Sequence, residues 1–195
     1  MGQEGKKPRV TVVIPTYNRA EDLRRCLDSL VVQTYSNFEV VVCDDGSTDD
    51  SECVAAEFLG RLDIRYETAE NFGGPARPRN RGIRLAKAPF VAFLDSDDWW
   101  APQKLQFSVA ALNDGADVVY HDLFIARSKD QVTFKDCVVS SRPRSPMFPA
   151  LLCTGISIPN SSVVVRKELL ERIGGISEER DLISVEDYDT WIRLS

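Results

Sequence analysis

Glycine is scarce near the start of this 195-residue sequence, and its absence there excludes two large enzyme classes. No glycine occurs between Gly5 and Gly46, so the first predicted strand lacks the glycine-rich turn with which dehydrogenases and P-loop enzymes hold phosphates. No apolar run approaches the length of a membrane span, and the N-terminus shows no signal-peptide pattern. We therefore expect a cytoplasmic chain without a membrane span, and we leave open whether a full-length protein sits at the inner face of the membrane.

Positive charge and paired cysteines are scarce as well. The formal net charge is −6 and the isoelectric point is about 4.9, which disfavours a nucleic-acid partner because the field of the protein repels phosphates. The five cysteines are scattered and never form a Cys-x-x-Cys pair, as expected for reduced thiols in a cytosolic protein. The sequence shows no internal repeat and does not indicate an oligomeric state.

Short β-branched runs alternate with amphipathic stretches along the chain. The runs predict strands at residues 10–14, 38–43, 64–67, 90–94, 117–120 and 161–165. The stretches predict helices at residues 19–32, 48–59, 102–113, 167–173 and 187–194, with a further helix that ends near residue 87. Asn18 and Glu21 predict a capping box for the first helix. A hairpin is expected within residues 124–139 and a proline-rich loop at 142–149. This alternation is typical of one α/β domain with a mainly parallel central sheet flanked by helices.

The stretch from Phe90 to Trp100 joins a buried apolar strand to a cluster of acids. The carboxylates of Asp95, Asp97 and Asp98 follow the strand directly, where open α/β sheets bind their ligands. Asp95 and Asp97 are two residues apart, so an extended chain directs both side chains to one side, where they repel unless a cation lies between them. A divalent cation with oxygen ligands suits such a pair. The alternative is that these acids only solvate the strand end or cap the next helix.

Five motifs follow one another in an order that is typical of a known enzyme family. They are residues 13–19 (VIPTYNR), 44–49 (DDGSTD), 71–74 (NFGG) with 79–83 (RNRGI), 93–98 (FLDSDD) and 186–187 (ED). In this order they resemble family 2 glycosyltransferases, and the resemblance covers nearly the whole chain. It implies a glycosyltransferase-A fold with a Rossmann-like N-terminal half, and an inverting enzyme that uses nucleotide-diphosphate sugars. A sugar nucleotidyltransferase is disfavoured, because its glycine-rich basic loop is missing after the first strand.

The resemblance implies a division of the chain into two halves. Residues 1–8 are expected to be a flexible tail, and residues 9–195 to form the glycosyltransferase-A domain. Within that domain, residues 9–122 would form the nucleotide-binding half and residues 123–195 the acceptor-side half. The sequence stops inside a predicted helix, so we expect the acceptor side to be cut short at its C-terminus.

The same resemblance implies roles for the acids of the donor site. Asp97 would bind the metal, Mn²⁺ or Mg²⁺, and Asp95 would lie nearer the ribose or a metal-bound water. Such a metal would stabilise the charge that develops on the diphosphate leaving group. Asp45 would accept a hydrogen bond from the base, and an imide N–H of uracil or thymine suits a carboxylate. For Asp44 we favour a turn role beside Gly46.

Four further residues are expected at the nucleotide. Pro15, Tyr17 and Asn18 crown the first strand, and Tyr17 either flanks the base or only covers the sheet. Arg79 resembles a nucleotide-contacting arginine, whose planar fork suits a phosphate or a base carbonyl. A solvated basic helix face is the alternative for Arg79. The nearby Pro78 departs from the family pattern and is expected to break the start of the helix.

Inversion requires a base that takes the proton of the acceptor hydroxyl, and one carboxylate is enough. The resemblance assigns that role to Asp187, whereas the alternative is an acid that only favours the first turn of the last helix. We expect sugar transfer from a UDP-sugar to a saccharide or lipid-linked saccharide in cell-surface polysaccharide synthesis. The rival hypothesis is a non-catalytic sugar-nucleotide-binding module. Trp100 and Trp191 are expected to serve packing rather than binding.

Overall fold

The computed structural model describes residues 9–128, 131, 135–140, 147–154 and 158–195, so the predicted tail at residues 1–8 lies outside it. The strands are β1 (Val10–Thr16), β2 (Phe38–Asp44), β3 (Ile64–Thr68), β4 (Phe90–Phe93), β5 (Val118–Val119), β6 (Leu123–Phe124), β7 (Cys137–Val138) and β8 (Val164–Arg166). The helices are α1 (Ala20–Val31), α2 (Ser51–Ala56), α3 (Ala76–Leu85), α4 (Lys104–Asn113), α5 (Met147–Thr154), α6 (Lys167–Arg172) and α7 (Glu186–Leu194). Short 3₁₀ turns lie at Asn160–Ser162 and Arg180–Leu182.

A six-stranded sheet forms the centre of the molecule, in the order β3-β2-β1-β4-β8-β5. β1, β2, β3 and β4 run parallel, whereas β8 is antiparallel to both β4 and β5. The predicted mainly parallel α/β sheet is thereby confirmed. The chain moves from β1 outward to β3 and then returns to the other side of β1 with β4. At such a reversal, sheets of this kind bind ligands in a crevice beyond the carboxyl ends of the strands, here β1 and β4.

β1 is buried along its whole length because helices cover both faces of the sheet. Alternate side chains of the strand enter opposite cores, as the two-residue period of a strand requires. Val12 and Ile14 pack with α1, α2 and α4, whereas Val13 packs with α3, α5, α6 and α7. α3 lies so close to β1 that a Cβ at Gly82 would come within 2.3 Å of Val13 Cγ1. The helix on that face is therefore held directly against the strand that leads to the crevice.

The start of α1 differs from the predicted capping box. Asn18 does not cap the helix: its φ is +50°, and its Oδ1 accepts a hydrogen bond from the Thr48 N–H at 2.8 Å. The helix begins at Ala20, whose N–H donates to Asp49 Oδ2 at 2.9 Å. The acceptor therefore comes from the loop after β2, which no local sequence pattern reveals, and the capping prediction is wrong.

Proline positions explain two further differences. The first strand extends through Pro15 to Thr16, beyond the predicted end at residue 14. The carbonyl of Val13 accepts a hydrogen bond from the Leu94 N–H, so Val13 bonds towards β4. Pro15 is two residues later and therefore faces the same side. The pairing with β4 has ended there, so the missing N–H of Pro15 breaks no hydrogen bond of the sheet. Pro78 lies inside the first turn of α3, where an N–H needs no helical acceptor, so it does not break the helix.

The C-terminal part was predicted less completely. β6 and β7 pair antiparallel, as the hairpin expected within residues 124–139 requires, although each strand is only two residues long. Residues 142–146 of the expected proline-rich loop lie outside the described residues, and Pro149 lies in α5. α2 is shorter at both ends than the helix predicted at residues 48–59. Among the described residues, no helix is both long and apolar enough to cross a membrane.

Candidate active site

The loop after β4 that carries Asp95, Asp97 and Asp98, here called the acidic loop, is held in place by the 3₁₀ turn at Asn160–Ser162. The Asp95 N–H donates to Ser161 Oγ at 3.0 Å, and the Asp98 N–H donates to the Asp95 carbonyl at 3.0 Å. The Trp100 indole N–H donates to the Ser161 carbonyl at 2.7 Å and is buried, which confirms its packing role. The loop is thus a defined turn on the sheet edge rather than a free strand end.

Negative charge accumulates in this loop. Burial raises the pKa of Asp98, and the charges of Asp95 and Asp97 raise it further, against a hydrogen bond with Ser161 that lowers it. Asp97 is half exposed and forms an ion pair with Arg19, the cation nearest its carboxylate. Two hard carboxylates beside a solvent-facing crevice fit a Mg²⁺ or Mn²⁺ ion. Among the described residues, no group of three or more His, Cys, Asp or Glu side chains is placed to hold a metal.

Asp45 and Asp44 end β2 and have different partners. The buried carboxylate of Asp45 accepts from the backbone N–H groups of Phe72 and Gly73, each at 3.0 Å, and from the Asn71 amide at 3.3 Å. Asp44 accepts from the Ser47 N–H at 2.9 Å and from the hydroxyls of Ser47 and Thr68. Asp44 therefore forms the predicted turn, and Asp45 holds the β3–α3 loop against the end of β2.

The residues that crown β1 divide into one surface residue and two structural ones. Tyr17 is 47% exposed at the rim of the crevice, so its ring is available to a ligand. Pro15 is buried within the strand. Asn18 holds two loops together, because its N–H donates to Ser47 Oγ at 2.8 Å while its side chain accepts from the Thr48 N–H. Of the three residues that crown β1, Tyr17 alone presents a large exposed side chain.

Arg79 is buried between two carboxylates. Its Nη1 donates to Glu186 Oε1 and its Nη2 to Asp95 Oδ1, both at 2.7 Å, and its side chain is only 5% exposed. Burial disfavours the charge of Arg79, but Asp95 and Glu186 outweigh it and raise the pKa of the guanidinium. The alternative of a solvated basic helix face is therefore wrong for Arg79. The neighbouring Arg77 lies over the Phe72 ring at 3.9 Å instead.

Glu186 and Asp187 begin α7 beside this arginine. Glu186 is buried, and its Oε2 has no hydrogen-bond partner among the described residues. Burial raises the pKa of Asp187, as do the charges of Glu186 and Asp95, whereas the Tyr188 N–H and Arg79 lower it. Because Arg79 bridges Glu186 and Asp95, the first turn of α7 lies beside the acidic loop. A carboxylate with a raised pKa is a suitable general base closer to neutral pH.

Sequence reasoning missed the turn that holds the acidic loop. Asn160 and Ser161 are buried polar residues in the 3₁₀ turn before β8, and both contact the site. A polar triplet directly before the buried strand β8 was the available signal, since buried polar groups need partners. The predicted core position of Trp191 is confirmed: it is buried, its ring centroid lies 6.3 Å from that of Phe93, and its indole donates to the Ile158 carbonyl.

Comparison with solved structures finds the same fold. The crystal structure of Staphylococcus aureus TarS 1–349 is similar with a TM-score of 0.76 and 27% identity, covering 95% of this chain and 55% of that one. Its complex with UDP gives a TM-score of 0.74 at 25% identity. Mannosyltransferase PcManGT from Pyrobaculum calidifontis, in complex with GDP-Man and Mn²⁺, gives 0.72 at 27% identity and covers 97% of this chain and 52% of that one. The predicted glycosyltransferase-A fold is confirmed.

Comparison of sequences gives the family. An uncharacterised glycosyltransferase of Rickettsia typhi is 29% identical over 207 residues, which cover 100% of this chain and 61% of the relative. This chain therefore spans less than two thirds of the length of that relative. The family model described as glycosyl transferase family 2 matches residues 11–174. Since that match includes most of the sheet and the acidic loop, the chain belongs to glycosyl transferase family 2.

Proposed function

We propose that this chain is the catalytic domain of an inverting glycosyltransferase that moves a sugar from a nucleotide-diphosphate donor to a hydroxyl acceptor. The observation that carries the proposal is that Arg79 bridges Asp95 and Glu186, because the bridge joins the acidic loop of the donor side to the helix that begins with Asp187. A base and a donor-binding acid in one crevice are what transfer needs. The family membership of the chain supports the same reaction class.

A UDP-sugar is the favoured donor. Asp45 at the end of β2 is the residue proposed to accept the imide N–H of the base, with Tyr17 at the rim flanking the ring. The carboxylate now accepts from the backbone of residues 72–73, so the base would share or replace one of these bonds. The structural relatives support a nucleotide donor without deciding the base, since TarS has been solved with UDP and PcManGT with GDP-Man.

Asp97 is the residue proposed to hold Mn²⁺ or Mg²⁺, because its carboxylate is half exposed beside the crevice. When bound, the divalent cation neutralises charge that develops on the leaving diphosphate. Asp95 keeps one carboxylate oxygen engaged by Arg79, which leaves the other for a ribose hydroxyl. The Mn²⁺ in the PcManGT complex supports a cation in this fold.

Asp187 is proposed to act as the general base. As the acceptor oxygen bonds to the anomeric carbon, the bond from that carbon to the phosphate oxygen breaks on the opposite face. The acceptor's proton passes to Asp187, and the electron pair of the broken bond leaves with the nucleoside diphosphate. For the acceptor we propose a saccharide or lipid-linked saccharide of a cell-surface polysaccharide.

Thermal unfolding tests the donor site. UDP, GDP and dTDP are each added with and without Mn²⁺ to the wild-type protein and to Asp97→Asn. A ligand at a hundred times its Kd stabilises by about 2.7 kcal/mol, which corresponds to roughly 5–10 °C for a domain of this size. We expect that shift for UDP with Mn²⁺ in the wild type and none in Asp97→Asn. If none of the three nucleotides shifts the midpoint of thermal unfolding, the proposed donor site is contradicted.

Product analysis tests the reaction and separates it from its rivals. UDP-glucose, UDP-N-acetylglucosamine and GDP-mannose are supplied with water as the acceptor, and the nucleotide product is measured. A transferase releases the nucleoside diphosphate, and Asp187→Asn stops that release while keeping the thermal shift with UDP. Release of pyrophosphate from UTP and a sugar 1-phosphate, supplied in a parallel reaction, would indicate nucleotidyl transfer instead. Binding without any release, unchanged in Asp187→Asn, would favour the non-catalytic sugar-nucleotide-binding module.

A further inference from the structure

We propose that Arg79 and Glu186 form a positioning pair, in which the guanidinium ties the start of α7, and with it Asp187, to the acidic loop of the donor side. This inference rests on the proposed function, since it gives the pair a part in the same reaction. It assigns Arg79 a different role from the nucleotide contact that the family resemblance implies. It also gives a role to Glu186, which was not among the predicted site residues.

The donor groups of Arg79 are used within the protein. Nη1 donates to Glu186 and Nη2 to Asp95, at 2.7 Å each. With the Asn160 amide turned so that its oxygen faces the guanidinium, that oxygen accepts from Nε at 3.1 Å and from Nη2 at 3.3 Å. All three nitrogens therefore have protein partners. A side chain that is 5% exposed and so fully engaged has little left with which to bind a phosphate or a base.

The partners of Arg79 come from three separate parts of the chain. Asp95 belongs to the loop after β4, Asn160 to the 3₁₀ turn before β8, and Glu186 to the first turn of α7. The arginine itself lies in α3, which is pressed against β1 at Gly82. Each hydrogen bond thus joins a different segment to a helix that the sheet already holds in place. Such a shared partner fixes the distance between the segments it joins.

Glu186 transmits this constraint to Asp187. Its side chain is 7% exposed, and Arg79 is the only cation within salt-bridge distance of it among the described residues. Burying a carboxylate without a paired charge is costly, so Glu186 keeps its place only while Arg79 faces it. The Glu186 carbonyl also accepts from the Thr190 hydroxyl at 2.7 Å, which ties the residue to the next turn of the helix. Asp187 directly follows Glu186, so its carboxylate moves with it.

α3 supports the segment before α7 by a second clamp. The Asn80 amide donates to the Ile176 carbonyl at 2.8 Å and to Glu178 Oε1 at 2.9 Å, and its oxygen accepts from the Ile176 N–H at 2.9 Å. Arg79 and Asn80, which are adjacent in α3, therefore hold the two ends of the connection from residue 176 to residue 186. The Arg79–Glu186 bond is the part of this support that lies next to the proposed base.

The test compares Glu186→Gln, Arg79→Lys, Arg79→Met and the double variant Arg79→Met/Glu186→Gln. Two quantities are measured: the Kd for UDP with Mn²⁺, and the kcat for UDP release from the UDP-sugar that the wild-type protein turns over. We expect Glu186→Gln to keep the Kd within about twofold. We expect it to lower kcat by about 10- to 100-fold, because losing a supporting contact or misplacing a reacting group typically costs that much activity. The double variant should lower kcat no further than the worse single variant, because both changes break the same bond.

The matched control is Asp189→Asn, which removes a carboxylate from the same helix and from another arginine pair. Asp189 Oδ2 accepts from Arg193 Nε at 2.9 Å on the exposed side of α7. We expect its kcat and Kd to stay at the wild-type values. If Arg79→Lys weakens UDP binding tenfold while Glu186→Gln leaves kcat unchanged, Arg79 is a nucleotide ligand and the positioning pair is refuted.

Hydrogen exchange keeps the proposal testable if the protein releases no nucleoside diphosphate, the result that would sink the proposed function. Amide protection at residues 187–190 is compared in the wild type, Glu186→Gln, Arg79→Lys and Asp189→Asn. We expect faster exchange in Glu186→Gln and in Arg79→Lys, and no change in Asp189→Asn. Unchanged protection in Glu186→Gln and Arg79→Lys would overturn the positioning role whatever the activity. Arg79→Met is not needed for this comparison, so a failure of that variant to fold does not affect it.

Discussion

The surroundings of Asp187 determine the pH at which the proposed base can work. A base must be ionised, and burial together with Glu186 and Asp95 raises the pKa of Asp187 against the opposing effects of the Tyr188 N–H and Arg79. The rate should therefore fall as the pH drops through a value above the ordinary aspartate pKa of about 3.9. The acid limb of the pH–rate profile reports this pKa.

Glu186→Gln and Arg79→Lys give different expected changes in that limb. Glu186→Gln removes a negative neighbour, so the pKa of Asp187 falls and the acid limb moves to lower pH. Arg79→Lys keeps the positive charge, so the limb should move less, even though kcat falls. The measurement is kcat for UDP release between pH 4 and 8. A limb that stays in place in Glu186→Gln would mean that Asp187 is not the group that titrates.

Single residues were predicted well where their partners are local. The turn role of Asp44 follows from Ser47, three residues away. The partners of Arg79 could not be read from the sequence, because Glu186 lies 107 residues from it. Asn18 was misread for the same reason: a local pattern suggested a cap, but its side chain bonds a loop 30 residues away. A motif identifies which residues matter, whereas the fold decides what each one touches.

Among the elements, the strands buried on both faces of the sheet were easier to predict than the contact between α3 and β1. The strands β1, β2 and β4 were predicted within two residues of their ends because helices bury both faces, which requires continuous apolar runs. The contact between α3 and β1 was not predictable from the sequence. A glycine such as Gly82 lowers the helix propensity of its stretch, but it does not indicate which element packs against it. The structure supplies the reason: Val13 occupies the space where a side chain would be.

Gly82→Ala tests this contact. A Cβ at 2.3 Å from Val13 Cγ1 forces a shift in a packed core, which costs about 1–3 kcal/mol, more than the gain of roughly 0.5–1 kcal/mol in helix propensity. We expect the midpoint of thermal unfolding to fall by several degrees, about 2–4 °C for each kcal/mol. Gly74→Ala is the control, since its Cβ would lie at an ordinary 3.5 Å from Ile183 Cγ1. Equal midpoints for the two variants would show that α3 can move away from β1 without cost.

At the scale of the whole molecule, the alternation of strands and helices was enough to predict which edge of the sheet carries the candidate site residues. Parallel strands deliver their following loops to one edge, so Tyr17, Asp45 and Asp95 had to lie along the same side of the sheet. The segment between residues 123 and 154 was not predictable in this way. Its described elements are two strands of two residues each and one helix of eight residues, which are too short to show a clear apolar period in the sequence.

The charge of the whole molecule bears on how an anionic donor can bind. The chain carries a formal net charge of −6, and the crevice adds the acids of the loop after β4. The arginines beside that loop are already engaged: Arg19 pairs with Asp97, Arg25 donates to the Asp97 carbonyl at 3.1 Å, and Arg79 bridges two carboxylates. A diphosphate would therefore enter a negative field unless a divalent cation accompanied it.

Metal removal should consequently weaken UDP binding far more than uridine binding. Uridine offers the same base and ribose without the diphosphate, so its affinity should be equal in Mn²⁺ and in EDTA. For UDP we expect the Kd to rise at least tenfold in EDTA, about 1.4 kcal/mol, measured by calorimetry at fixed ionic strength. Equal UDP affinity in both solutions would mean that one of the engaged arginines leaves its protein partner to bind the diphosphate. Arg19→Ala and Arg25→Ala would then show whether it is Arg19, Arg25 or, if neither substitution matters, Arg79. Because Arg19 competes for Asp97, the metal hypothesis predicts the opposite for Arg19→Ala: UDP binding in Mn²⁺ that is as tight as in the wild type or tighter.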